Sequence, residues 1–509
     1  LPAAPLVILG LDAADPHLLT TWAAAGRLPT LAGLMQRGCW GRTGGPDLAF
    51  EHGAWLSLIT GVSRRRHGYF YLRQPDPGTY RLRVVTGRQM GVPPFWAALH
   101  GSGRRVAAID IPDMRLVPGL PGVQLADWAM HYTEDPPLAE PAGLLAEAAR
   151  VFGPRAIVEE NFHSDPASDR VLFQRLRARI ERKGALLRHL LGRGDFDLIF
   201  TVFGEAHTGG HQLWRYTPEV STPPPGAQAG ALAGALLTLY QAVDAEVGRL
   251  LAQLPAEANV LIVSSVGLKN QYPTGGLGQA LTRQLGYQPT PAGGRPVRTP
   301  VDLARRLLPE SLRARLSLGL PRSQREALLA EQFAAGTDWG RTTAYVLPTT
   351  FSTLLRVNLR GREPAGTVEP GAGYAAVLAQ LEADFAALVD PVTGEPAVLR
   401  MDRATALFGG GPPERLPDLL VEWQPARHFL ERVAHPQGDL RQRRPEFFRG
   451  TDHQRAGFLI AAGPDIAGRG PLASDFEVLD LAPTALALLG EPAPAALTGQ
   501  VASFVGGRS

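Results

Sequence analysis

The sequence predicts an α/β protein built on a largely parallel sheet flanked by helices. Three observations carry that reading. The chain holds several short apolar runs of strand length, polar residues sit at their ends, and helical patterns separate them. A strand covered on both faces reads as an unbroken apolar run instead of an alternation, which is the mark of a buried parallel strand. Strands that alternate with helices then argue for a helix-flanked parallel sheet.

Pro5 to Leu11 is the first run, and it stops at Asp12. Open α/β sheets bind ligands beyond the carboxyl ends of their strands, so Asp12 stands where chemistry is expected. Leu18 to Arg37 is helical in pattern, and Val106 to Asp110 is a second strand. Phe196 to Phe203 is a third and runs into Gly204-Glu205-Ala206-His207. Asn259 to Ser264 is a fourth and runs into Ser265-Val266-Gly267. Gly457 to Ala461 is a fifth, just after His453, and Tyr374 to Val389 is a later helix. Two stretches break the alternation. One, 114–194, contains a Pro-rich loop and an Arg-rich amphipathic helix from Arg170 to Leu191; the other, 269–337, holds Pro-rich turns and short helices. Both follow sheet strands, where loops build active sites. The expected organisation is a core of residues 1–113, 195–268 and 338–509, with 114–194 and 269–337 inserted as a cap.

Composition narrows the chemistry. A chain of 509 residues, 45% apolar and 19% charged, can bury a large core without disulfides. Its single cysteine, Cys39, excludes a disulfide framework and any cysteine-based zinc or iron–sulfur site. The 51 basic and 48 acidic residues leave a net charge of +3, and only Lys183 and Lys269 are lysines. The longest basic run is Arg64-Arg65-Arg66. A nucleic-acid groove needs a charged stripe interleaved with stacking aromatics, and none is present. No apolar run reaches the roughly 18 residues of a membrane helix, and no signal peptide is visible. The expectation is a cytoplasmic protein acting on a small molecule, with no nucleic-acid or membrane partner. The twelve histidines are then the main source of metal ligands.

His207-Thr-Gly-Gly-His211 places two imidazoles on one face of a helix, and two such histidines with a distant third ligand form a common metal-binding set. Around this pair the chain resembles the type I phosphodiesterase/nucleotide pyrophosphatase family of the alkaline phosphatase superfamily. Gly10-Leu-Asp-Ala-Ala-Asp-Pro16 is similar to the family's GLDGADP start, and Gly26-Arg-Leu-Pro-Thr-Leu31 to its G-x-LPnL step. Ala54-Trp55-Leu-Ser57-Leu-Ile-Thr60-Gly61 with His67-Gly68 resembles AWxSxxTG…HG. Gly204 to Trp214 resembles ETDxxxHxxW, Asn358 to Glu363 resembles NxxGREP, and Pro417-Asp418 fits PDL. Thr451 to Pro464 and Asp480 to Thr484 resemble its closing HxxxGxxxxxGP and DxAPT segments. These matches keep their order along nearly the whole chain.

The resemblance implies an alkaline-phosphatase-like fold and two metals at the carboxyl edge of the sheet. In the family one ion is held by an Asp-x-x-x-His pair and a late His. The other is held by the first Asp, a Thr or Ser nucleophile, and the Asp-His of an SDHG segment. Two ions can clamp the attacking and leaving oxygens of a phosphoryl group. This sequence departs from that pattern. Glu51 stands at the nucleophile position, the SDHG segment reads Ser264-Ser265-Val266-Gly267, and His207 replaces the Asp of the pair. Asp12, His211 and His453 are kept. The expectation is one divalent transition metal (zinc, iron or manganese) on His207, His211 and His453, with Glu51 as a further ligand or base and no second ion.

Further candidates are Asp12 as a catalytic group or as the partner of a ligating imidazole, and His52, Ser265, Asp452 and Arg455 around ligands or substrate. Arg64 to Arg66 would attract an anionic substrate or lie in a solvated loop. Three functions follow. The first is a metal-dependent hydrolase with a rewritten centre, the second a mononuclear metalloenzyme doing redox or oxygen chemistry, and the third an inactive binding protein on the same fold.

Overall fold

The computed structural model describes residues 4–50, 52–130, 135–160, 165–223, 225–292, 320–426, 428–445 and 448–506. They form two compact units, one of 1–69, 86–269 and 451–509, the other of 70–85 and 270–450.

The first unit carries a ten-stranded, mostly parallel sheet. Leu6–Leu11 lies in its middle, parallel to Leu198–Phe203 on one side and Asn259–Val263 on the other. Val106–Ile109 and Gly122–Ala126 extend the parallel run beyond Leu198–Phe203, and Leu138–Glu140 closes that edge antiparallel. On the other side Phe458–Ala462 runs antiparallel to both Asn259–Val263 and Cys39–Gly44. The apolar runs have the cause inferred for them. Val7, Leu9 and Leu11 enter the core on one face, and Leu6 and Ile8 enter the core on the other. Successive side chains of a strand point to opposite faces, so covering both faces makes every position apolar.

Several expectations shift in detail. The Leu18–Arg37 pattern is two helices, Pro16–Ala24 and Pro29–Arg37, each opened by a proline at its first position. The 114–194 stretch is not separate from the sheet, because it supplies Gly122–Ala126 and Leu138–Glu140 to it. The Arg-rich helix runs Pro166–Leu191 and packs within the first unit, burying Asp169, Arg179 and Lys183.

The second unit is built on an antiparallel sheet, in the order Ala344–Leu347, Thr353–Val357, Leu419–Trp423, Val398–Arg403, with its own apolar cluster. Residues 338–450 therefore pack with 270–292 and 320–337, and do not continue the first unit. The helix expected at Tyr374–Val389 spans Ala372–Ala386. Segments that resembled family stretches hold this unit together. Asp418 accepts from Arg362 Nη2 at 2.6 Å, Val357 N at 2.7 Å and Tyr374 Oη at 2.9 Å. Asn358 donates to the carbonyls of Trp339, Thr342 and Ala365. These polar groups are satisfied by each other, as buried polar groups must be.

Candidate metal centre

Two separate segments of the first unit bring three histidines to one point. Leu198–Phe203 ends at Gly204, and the helix Glu205–Leu213 starts at once, presenting His207 and His211 one turn apart. The short strand Thr451–Gln454 brings His453 and pairs with Gly267–Asn270. His207 Nε2 and His211 Nε2 each lie 3.2 Å from His453 Nε2. One ligand atom from each of the three residues lies within 4.8 Å of the others. Two imidazole nitrogens bound to one ion at about 2.0–2.1 Å stand about 3.3 Å apart at tetrahedral angles. The observed 3.2 Å separations match that requirement.

The hydrogen bonds on the far side of two rings point the same way. His207 Nδ1 is 2.8 Å from Asp12 Oδ2. An ionised carboxylate only accepts, so Nδ1 carries the proton and Nε2 keeps its lone pair toward the other imidazoles. His211 Nδ1 meets Thr451 Oγ1 at 3.1 Å, and that hydroxyl donates in turn to the His211 carbonyl. His211 Nδ1 is thereby also the donor. The residues present fit a bound cation, with Nε2 as the ligand atom of His207 and His211.

Asp12 has a defined orientation. Trp55 Nε1 donates to its Oδ1 at 2.6 Å while His207 occupies Oδ2. The indole can reach it because Gly10 leaves room: a Cβ there would lie 2.5 Å from the Trp55 ring. The Ser265 hydroxyl donates to the same Oδ1 at 3.3 Å. Ser265 is thus buried beside Asp12, and Val266 next to it is buried in an apolar cluster and offers no donor. Asp15 caps the helix Pro16–Ala24 through its Oδ1, and its Oδ2 accepts from Gln454 Nε2 at 2.6 Å, steadying the strand that carries His453.

The other candidates separate. Asp452 is buried, with Oδ1 3.8 Å from His453 Nδ1, beyond hydrogen-bond length. Arg455 is half-buried two residues past His453. His52 is half-buried with its ring 6.5 Å from that of Tyr69, and it is not one of the three converging imidazoles. Glu51 lies outside the described residues. Arg64 corrects the reading of its run as an anion trap or solvated loop. It is fully buried and donates to the carbonyls of Asp47, His52 and Tyr69, so its charge staples the chain on either side. His67 is buried too, and burial followed by the nearby Arg64 charge pushes its pKa down to about 2. It accepts from Tyr69 N and faces Ser57 Oγ, a structural role.

Sequence reasoning missed one carboxylate. Glu160 Oε1 lies 3.9 Å from His207 Nε2, in a segment with no recognisable motif.

The sequence and the fold were compared with known proteins. The family model described as type I phosphodiesterase / nucleotide pyrophosphatase matches residues 6–452. Among solved structures the chain is similar to phosphonoacetate hydrolase from Sinorhizobium meliloti 1021. In its complex with phosphonoacetate the identity is 15%, 96% of each chain is covered and the TM-score is 0.53. The complex with phosphonoformate gives the same identity and coverage with a TM-score of 0.51. Murine ectonucleotide pyrophosphatase / phosphodiesterase 5 aligns over 96% of each chain at 11% identity and a TM-score of 0.46. No curated protein sequence matches the chain.

Proposed function

We propose that this chain, which belongs to the type I phosphodiesterase/nucleotide pyrophosphatase family, is a hydrolase of phosphoryl or related esters that works with one divalent cation instead of two. The observation that carries the reading is the convergence of His207, His211 and His453, with Asp12 setting the tautomer of His207. A cation bound there would supply Lewis acidity, drawing charge from a phosphoryl oxygen and acidifying water. The chain's own residues do the rest. The three Nε2 atoms hold the ion, and Asp12 keeps the His207 ring aimed. Val266 withholds a donor from the second position. Glu51 stands where the family has a hydroxyl nucleophile; a carboxylate there takes a proton from attacking water and forms no phosphorylated serine or threonine.

The test is hydrolysis of aryl phosphate mono- and diesters by the full chain with zinc or manganese added, alongside metal analysis. The expected result is turnover that falls at least 100-fold in His211→Ala and His453→Ala together with metal content. Glu51→Gln is expected to lose a similar factor while keeping its metal. Stoichiometric metal with no turnover on any such ester would sink the hydrolase reading.

The all-imidazole set favours a second reading, a mononuclear metalloenzyme for redox or oxygen chemistry. Iron in protein purified without added metal, with oxygen consumption that His453→Ala abolishes, would select it. Stoichiometric zinc, with no oxygen consumption in the iron-loaded protein, would exclude it.

A further inference from the structure

We infer that Glu160 is a fourth protein ligand, so that the centre is a three-imidazole, one-carboxylate site for a single divalent cation; this rests on the reading that His207, His211 and His453 hold a metal. Glu160 Oε1 lies 3.9 Å from His207 Nε2, the same nitrogen that faces His453. That is too long for a hydrogen bond. It is about half an ångström more than the roughly 3.3–3.4 Å between two ligands of one tetrahedral ion, a gap that side-chain torsions close. Its side chain is 25% exposed, so the carboxylate keeps part of its hydration.

The backbone that carries Glu160 is tied to the helix that carries the histidines. Ala156 N donates to Trp128 O at 2.7 Å. Two residues before Glu160, the Val158 carbonyl is approached by Arg179 Nη1 at 3.5 Å. The same buried guanidinium donates to the Met130 carbonyl at 2.9 Å and pairs through Nε with Glu205 Oε1 at 2.5 Å. Glu205 is the first residue of the helix that bears His207 and His211. One guanidinium therefore sets the distance between the carboxylate's segment and the imidazoles. Charge agrees with geometry. Three neutral imidazoles leave a dication uncompensated, and Asp12 acts only through the far side of His207. A ligating carboxylate removes one unit of that charge, and it makes the donor set harder, which suits manganese, iron and zinc.

The experiment titrates Co(II) into the full chain and follows visible absorption, with affinity fixed by chelator competition. Five proteins are compared: wild type, Glu160→Gln, Glu160→Asp, Glu51→Gln and His211→Ala. The expected result is one Co(II) per chain in wild type. Glu160→Gln binds at least tenfold more weakly with a changed absorption band, and Glu160→Asp lies between the two. Glu51→Gln keeps the wild-type band and affinity within about threefold, and His211→Ala binds none. Wild-type affinity and band in Glu160→Gln, in protein with unchanged circular dichroism, overturns the assignment while leaving the three-histidine centre intact. No Co(II) binding by wild type overturns both.

Discussion

At the scale of the residue, Asp12 shows how one carboxylate at a strand end orients an imidazole. Both its oxygens are engaged, one by Trp55 Nε1–H and one by His207 Nδ1–H. Asp12→Asn removes the charge and leaves one amide oxygen for the Trp55, His207 and Ser265 donors. It is expected to weaken metal binding by about 10–100-fold, the usual effect of losing such an outer partner, without unfolding the chain. Chelator competition with a thermal melt on the same sample checks this. The three histidines were legible because a helical spacing and an ordered set of short segments placed them. Asp12 was legible as a strand-end carboxylate. Glu160 was not, since nothing local marks a loop carboxylate that meets an imidazole 47 residues away. Arg64 was misread for the related reason that a charge run shows its charge and not the three carbonyls its guanidinium serves.

At the scale of the element, the helix Glu205–Leu213 is held by the helix Pro166–Leu191 through buried polar pairs. Arg179 meets Glu205 at 2.5 Å, and Asp169 accepts from Gln212 at 2.7 Å and from Tyr216 at 2.7 Å. Arg179 and Glu205 have side chains only 1% and 0% exposed, so neither charge can turn to water if the other is removed. Arg179→Met is therefore expected to cost about 3–5 kcal/mol, far more than a surface pair would. Urea unfolding of the two proteins measures it. The strands were legible because burial on both faces writes itself into composition. The reversed direction of Phe458–Ala462 was not, because an apolar run has no polarity along the chain. The place of Pro166–Leu191 was hidden too. Its arginines look solvated in sequence, and only the fold supplies their partners.

At the scale of the whole molecule, the parallel sheet was readable, whereas the division into units was not: contiguous strand and helix patterns do not say which sheet they join. No helix among the described residues is long and apolar enough to cross a membrane. Stability has a pH dependence that can be signed. The His67 pKa of about 2 in the folded chain stands below the ordinary value of 6.5. Below pH 6.5 the unfolded chain takes up a proton that the folded chain refuses, so this contribution is complete above 6.5 and declines as pH falls toward 2. The slope is at most about 1.4 kcal/mol per pH unit. His67→Gln is expected to flatten the acid limb of the unfolding free energy measured in urea between pH 6.5 and 4 by up to about that slope. Asp113 works in the other direction, since burial raises its pKa to about 7, which is why the comparison must be made at one site. The pairing of Leu6–Leu11 with Leu198–Phe203 has a further consequence. Leu11 stands opposite Phe203, which sets Asp12 level with Gly204 and one step from the histidine helix. A slip of one residue would carry the carboxylate about 3.3 Å along the strand and turn it to the opposite face. The sheet thus acts as a ruler for the three-histidine cluster: a single inserted residue between Phe203 and His207 is expected to break the meeting of Asp12 with His207 although both residues are still present.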